Sequence, residues 1–237
     1  LIGPVAKLVP LDAGAISFFR AAFALAALAP FLALGAGSFR GGLGVVGLFA
    51  ERRLHALATH GALGLFLAGN WYFYVLAVQV SSVALAVICL FTYPLFTAIL
   101  EPLFFSEPFR ALDLVAGALV LAGVFVMVDV GASDGTALGA LYGVLSALSF
   151  TLRNLFSRQA IRKHRAEALV LVQLAVAACV FSPFLLGLSA PPSPRDLLLL
   201  AVLGSGLTLL SQLLFIAALK QLSTTLASLI VALQPVL

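Results

Sequence analysis

The sequence is dominated by apolar runs of about twenty residues, parted by short stretches of Gly, Pro and charge. A helix needs about 20 apolar residues to cross roughly 30 Å of hydrocarbon. Read on that scale, full spans lie at Ala15–Leu34 (B), Leu57–Val78 (C), Ser82–Phe104 (D), Leu112–Val130 (E), Thr136–Phe156 (F), Ala168–Leu188 (G) and Leu197–Leu219 (H). A stub, Leu1–Val9 (A), precedes them and a further run, Thr224–Leu237 (I), follows. Turn formers occupy the joints at Val9-Pro10, Glu107-Pro108, Gly131–Gly135 and Pro191–Pro194. The runs are continuous and do not alternate, so they predict spanning helices and not a membrane β-barrel. Composition agrees: 63% of the 237 residues are apolar and 9% charged, against about 25% charged in a soluble domain. The expected fold class is an all-α integral membrane protein.

The placement of charge orients the spans. Arg40, Arg52, Arg53, Arg110, Arg153, Arg158, Arg162, Lys163, Arg165 and Lys220 are read on one side, and only Lys7 and Arg195 on the other. Basic loops stay in the cytoplasm, so 35–56 and 157–167 are expected there. The run from Arg153 to Arg165 joins two spans. Orientation explains it better than nucleic-acid binding does, and contact with anionic headgroups fits the same charges. The remaining base, Arg20, is the one read inside a span.

An internal repeat is visible. At an offset of 141, Ala77, Ser82, Leu85, Ala86 and Pro94 meet Ala218, Ser223, Leu226, Ala227 and Pro235. At an offset of 153, Ala-Pro-Phe-Leu at 29–32 meets Ser-Pro-Phe-Leu at 182–185. The units read as 1–130, spans A to E, and 131–237, spans F to I. An odd number of spans per unit inverts the second in the membrane, an arrangement that places a substrate site near the midplane. Completing both units predicts ten helices in the intact protein. This chain is expected to lack the start of the first helix and all of the last.

Several segments resemble one family. Ser17-Phe18-Phe19-Arg20 opens the second helix, Ala77 to Pro94 is followed by Glu107 and then Gly117 to Val124, and Ala217-Ala218 through Pro235 forms the second copy. In order and spacing they are similar to the drug/metabolite transporter superfamily, in its ten-helix EamA-like branch. The resemblance implies a multi-pass protein of the plasma membrane, the inner membrane in bacteria. It implies a carrier of small metabolites, often an exporter of amino acids. Relatives also move nucleotide sugars.

Polar groups inside spans are the candidate site, because each is costly in hydrocarbon. Asn70, Trp71 and Tyr74 lie along one stripe of span C. The repeat sets Ser211, Gln212 and Phe215 opposite them, with Thr208 one turn earlier. Tyr93 and Gln234 pair just before the matched prolines, Pro94 and Pro235. Together these predict a cavity with aromatic faces and a few hydrogen bonds. An interfacial aromatic belt is the other reading of Trp71 and Tyr72, and helix packing that of Ser211. Arg20 is open to snorkelling, to pairing with Asp12 or to an anionic substrate group. Glu101, before Pro102, is expected to pair with a base or to titrate. Pro94 and Pro235 are expected to kink their helices as hinges. Gly139, Gly143, Gly117 and Gly123 are expected to permit close packing.

No catalytic constellation, P-loop or metal spacing is present in the sequence, and no cofactor is expected. Cys89 and Cys179 read as packing residues, and His55, His60 and His164 as unrelated residues near the cytoplasmic side. The leading expectation is a secondary transporter acting on a small molecule within the bilayer, with a homodimer open to it. The alternatives are a nucleotide-sugar or organophosphate carrier, and a non-transporting receptor or assembly subunit. Topology is checked by single cysteines in a cysteine-free background. Arg162→Cys should react with an impermeant thiol reagent from the cytoplasmic face only, and Arg195→Cys from the opposite face only.

Overall fold

A helix satisfies every backbone N–H and C=O within its own segment, which hydrocarbon demands of any chain that crosses it. The computed structural model describes residues 7–34, 53–106, 108–127, 136–188 and 191–232, and among them there is no strand. The helices are α1 (Ala13–Leu34), α2 (Arg53–Val80), α3 (Val83–Leu90), α4 (Tyr93–Phe105), α5 (Ala111–Met127), α6 (Thr136–Ile161), α7 (Ala166–Phe181), α8 (Pro194–Ala201), α9 (Leu209–Ala218) and α10 (Thr224–Ala232). Among the described residues, six segments are long and apolar enough to cross a membrane: Ala13–Pro30, Thr59–Val80, Val83–Phe105, Thr136–Ile161, Ala166–Gly187 and Pro194–Ala218. The protein is thus an all-α, multi-pass membrane protein. Spans E and I correspond to α5 and α10, each of which runs to an edge of the described residues. Most of stub A, loop residues 35–52, Gln234 and Pro235 lie outside the described residues.

Three spans read as continuous are interrupted. Span D is two helices, broken at Phe91–Thr92, and Pro94 sits in the first turn of α4 instead of kinking one long helix. Pro94 has no N–H to offer a carbonyl of the preceding turn, but it suits the first turn of a new helix. Thr92 Oγ1 satisfies the Cys89 carbonyl left at the break, at 2.7 Å. Span G closes in a 3-10 turn at Ser182–Gly187, which contains Pro183. Span H contains a π-helical stretch, Val202–Thr208, between α8 and α9.

Helices from the two ends of the chain interlock. α2 packs along α6 and α7, and α1 along α7 and the π stretch. Small residues set these distances. A Cβ on Gly143 would lie 2.4 Å from Cys89 Cβ, and one on Gly139 2.2 Å from Ser81 Oγ. Cys89 is therefore a packing residue, whereas Cys179 is exposed and packs in no core. One core, with Leu67, Trp71, Leu169, Leu174 and Ile216, joins α2, α7 and α9. Polarity is inverted relative to a soluble protein. Leu112, Val126 and Leu186 are more than three-quarters exposed, while Arg20, Arg153, Asn154 and Gln173 are buried. An apolar exterior around buried charge suits a lipid surround.

The π stretch touches α1 closely, since a Cβ on Gly204 would stand 2.6 Å from the Arg20 carbonyl oxygen. Gly204→Ala should cost about 1–3 kcal/mol of stability, because backbone has to move. Gly206 has no atom within 4 Å of its would-be Cβ, so Gly206→Ala should leave the thermal unfolding midpoint in detergent unchanged or slightly raised.

Candidate functional site

Two arginines organise the interior. Arg20, on α1, is 5% exposed; its Nε donates to Thr208 Oγ1 at 2.8 Å, and its guanidinium lies 3.8 Å from the centre of the Trp71 ring. Tyr74, one turn on from Trp71, is buried on the same face of α2. Arg20 therefore does not snorkel to the outer interface, and Asp12 instead caps α1 by accepting from Ala15 N at 2.9 Å. Trp71 is buried at 3% exposure, which places it in the interior and not in an aromatic belt.

The second arginine corrects the reading of charge. Arg153 is not a loop residue: it lies inside α6, 1% exposed. Its Nε donates to Gln173 Oε1 at 2.8 Å and its Nη2 donates to Gln212 Oε1. The Phe150 ring lies 5.9 Å away, and Phe150 in turn meets Phe215. Arg20 is thus not the single base inside a span. The signal was available, since Arg153 falls before the apolar end of span F and three residues after Phe150.

The two nodes share a helix. Thr208 holds Arg20 and Gln212 holds Arg153, four residues apart at the start of α9. Such residues stand roughly 6 Å apart on one face. Among the described residues, no carboxylate contacts either one. Trp71, Tyr74, Thr208, Gln212, Phe215 and Arg20 therefore come together, joined by Arg153 and Gln173.

Other expected site residues are placed elsewhere. The Asn70 amide donates to Ser146 Oγ at 2.9 Å and to the Ser146 carbonyl at 3.1 Å, and Ser146 Oγ returns a bond to the Asn70 carbonyl. It clamps α2 to α6. Ser211 is exposed, and its hydroxyl donates to the Thr208 carbonyl within its own helix. Tyr93 donates to the Ser228 carbonyl at 2.8 Å, which ties α4 to α10. Beside it Thr97, Thr151 and Ser228 bring three hydroxyls within 3.5 Å contacts, a polar seam that sequence spacing did not reveal. Asn154 is fully buried, with no partner for either amide atom among the described residues.

Glu101 gathers three helices at one end of the bundle. It is 3% exposed, accepts from Arg158 Nη1 at 2.6 Å, and accepts from Thr224 N, Thr225 N and Thr225 Oγ1. A carboxylate at a helix N-terminus satisfies orphan donors and meets the positive end of the dipole. One side chain so binds α4, α6 and α10. Near the same side His60 and His164, unrelated in sequence, stack edge-on with ring centres 5.1 Å apart.

The sequence profile of the EamA-like transporter family matches residues 1–129 and again residues 137–237. The chain belongs to the EamA-like transporter family. It is therefore a membrane transporter of small molecules, built from two family halves. A solved structure, titled only as the crystal structure of a protein, superposes with a TM-score of 0.73 over 96% of this chain and 77% of the other. At 22% identity, that likeness shows the fold. No curated protein matches the sequence.

The Arg153 node gives a direct test. Gln173→Leu should cost about 1.5–3 kcal/mol, because a buried charged donor loses its acceptor. Ser211→Ala should stay within about 0.5 kcal/mol of the parent in the same thermal unfolding measurement.

Proposed function

We propose that this EamA-like protein is a secondary transporter that works by alternating access around the arginine cluster. The halves 1–130 and 131–237 rock against each other, and the substrate sits between them near the midplane. One observation carries this reading: Arg20 of the first half bonds Thr208 of the second, inside the membrane-spanning region. A buried charge bridging two halves is costly unless it serves a ligand or a moving contact. The clamp of Glu101 on Arg158 and α10 suits a mouth held shut at the cytoplasmic side. Asn70 and Tyr93 belong to the walls of this scheme, and the helix break ahead of Pro94 to its hinges; Gln234 and Pro235, their matches in the repeat, lie outside the described residues.

The substrates we favour are amino acids or similar small metabolites, moved outward across a bacterial inner membrane with 35–56 and 157–167 in the cytoplasm. An amino-acid carboxylate suits the fork of Arg20. The second buried base, Arg153, favours an organophosphate or nucleotide sugar as the alternative.

Full-length protein in proteoliposomes tests the reading. Vesicles preloaded with unlabelled amino acids should take up labelled amino acid by counterflow, and empty vesicles should not. Trp71→Ala should reduce the rate about tenfold without loss of membrane insertion, since about 1–2 kcal/mol of cation–π contact is removed. Equal rates for parent and Trp71→Ala count against the site. No counterflow from correctly inserted protein counts against the carrier.

A further inference from the structure

We infer that the substrate is a net organic anion, whose oxyanion group binds between Arg20 and Arg153. The inference rests on the transport reading and narrows it. It begins with charge. Both guanidiniums are buried, at 5% and 1% exposure, and each is held by neutral partners: Thr208 and Trp71 for Arg20, Gln173 and Gln212 for Arg153. Neutral acceptors orient a guanidinium but leave its charge uncompensated.

Donor arithmetic agrees. A guanidinium has five N–H donors in a fixed fork and no acceptor. Arg20 places one on a hydroxyl, and Arg153 places its Nε and Nη2 on two amide oxygens. The remaining N–H groups of both have no protein acceptor among the described residues. Carboxylate and phosphate are the groups that take such forks in pairs. The anchors Thr208 and Gln212 stand one turn apart on one helix, so both forks are referenced to the same wall.

Among the described residues, the one buried acid is already committed. Glu101 is held by Arg158 and by the start of α10. A zwitterion with a neutral side chain would thus bring an ammonium into a site that holds two cations and, among the described residues, no carboxylate. A dicarboxylate, an acidic amino acid or a phosphate monoester brings net negative charge and suits it.

The test titrates purified full-length protein in detergent with succinate, L-glutamate, glycerol 3-phosphate and leucine, reading the thermal unfolding midpoint. At least one anion should raise the midpoint saturably while leucine does not. Arg20→Gln and Arg153→Gln should each weaken that anion about tenfold or more, the scale of one charged hydrogen bond lost. Stabilisation by succinate or L-glutamate alone assigns a carboxylate, and by glycerol 3-phosphate alone a phosphate. Leucine stabilising as strongly as the anions, or none of the three anions acting, overturns the inference. If a variant fails to fold, the comparison of anions with leucine on the parent still decides. Counterflow with the same probes separates the two readings. Saturable anion binding without counterflow upholds the anion site and overturns the carrier. Leucine counterflow that Arg153→Gln leaves unchanged upholds the carrier and overturns the anion site.

Discussion

Two guanidinium groups within the hydrocarbon thickness dictate what must surround them. Both are buried, so each draws polar or aromatic partners from other helices. Arg20 on α1 needs Thr208 and Trp71, and Arg153 on α6 needs Gln173 and Gln212. Those partners lie on α2, α7, the end of the π stretch and the start of α9. The requirement therefore fixes how helices from both ends of the chain meet, and apolar packing of Leu67, Leu174 and Ile216 fills the space around them. Dispersion and lipid exclusion do not discriminate among apolar faces, whereas a buried charge tolerates few neighbours.

The helix interruptions serve the same centre. The π stretch at Val202–Thr208 ends on the residue that accepts from Arg20, and Gly204 within it lets α1 approach its backbone. The break before α4 starts a new helix whose Tyr93, Thr97 and Glu101 recur every fourth residue and face α6 or α10. That face becomes a polar seam ending in the Glu101 clamp. The seam and the arginine cluster both use α6, which touches more of the other helices than a peripheral span would.

Much was legible from residues alone. Span positions, the two-part organisation, and the convergence of Trp71, Tyr74, Thr208, Gln212 and Phe215 follow from hydropathy, repeat offsets and helical spacing. Asn70 and Ser211 were equally polar and equally well placed along their spans, yet one clamps Ser146 and the other faces outward. Spacing along one helix tells which residues share a face, but not which neighbour that face meets. Arg153 was misassigned for a related reason. A base near a span end looks like a loop base until the neighbouring helices show that the end is buried.

By itself the sequence determined that this chain lives in lipid as a bundle of helices in two related parts. Apolar run length and charge asymmetry are properties of single segments, and the bilayer reads them segment by segment. Only the tertiary structure decided that Arg153 joins Arg20, that Glu101 ties three helices together, and that spans D and H are interrupted. The bonds from Arg20 to Thr208 and from Thr225 to Glu101 join groups more than a hundred residues apart in the chain, and no local pattern encodes that pairing.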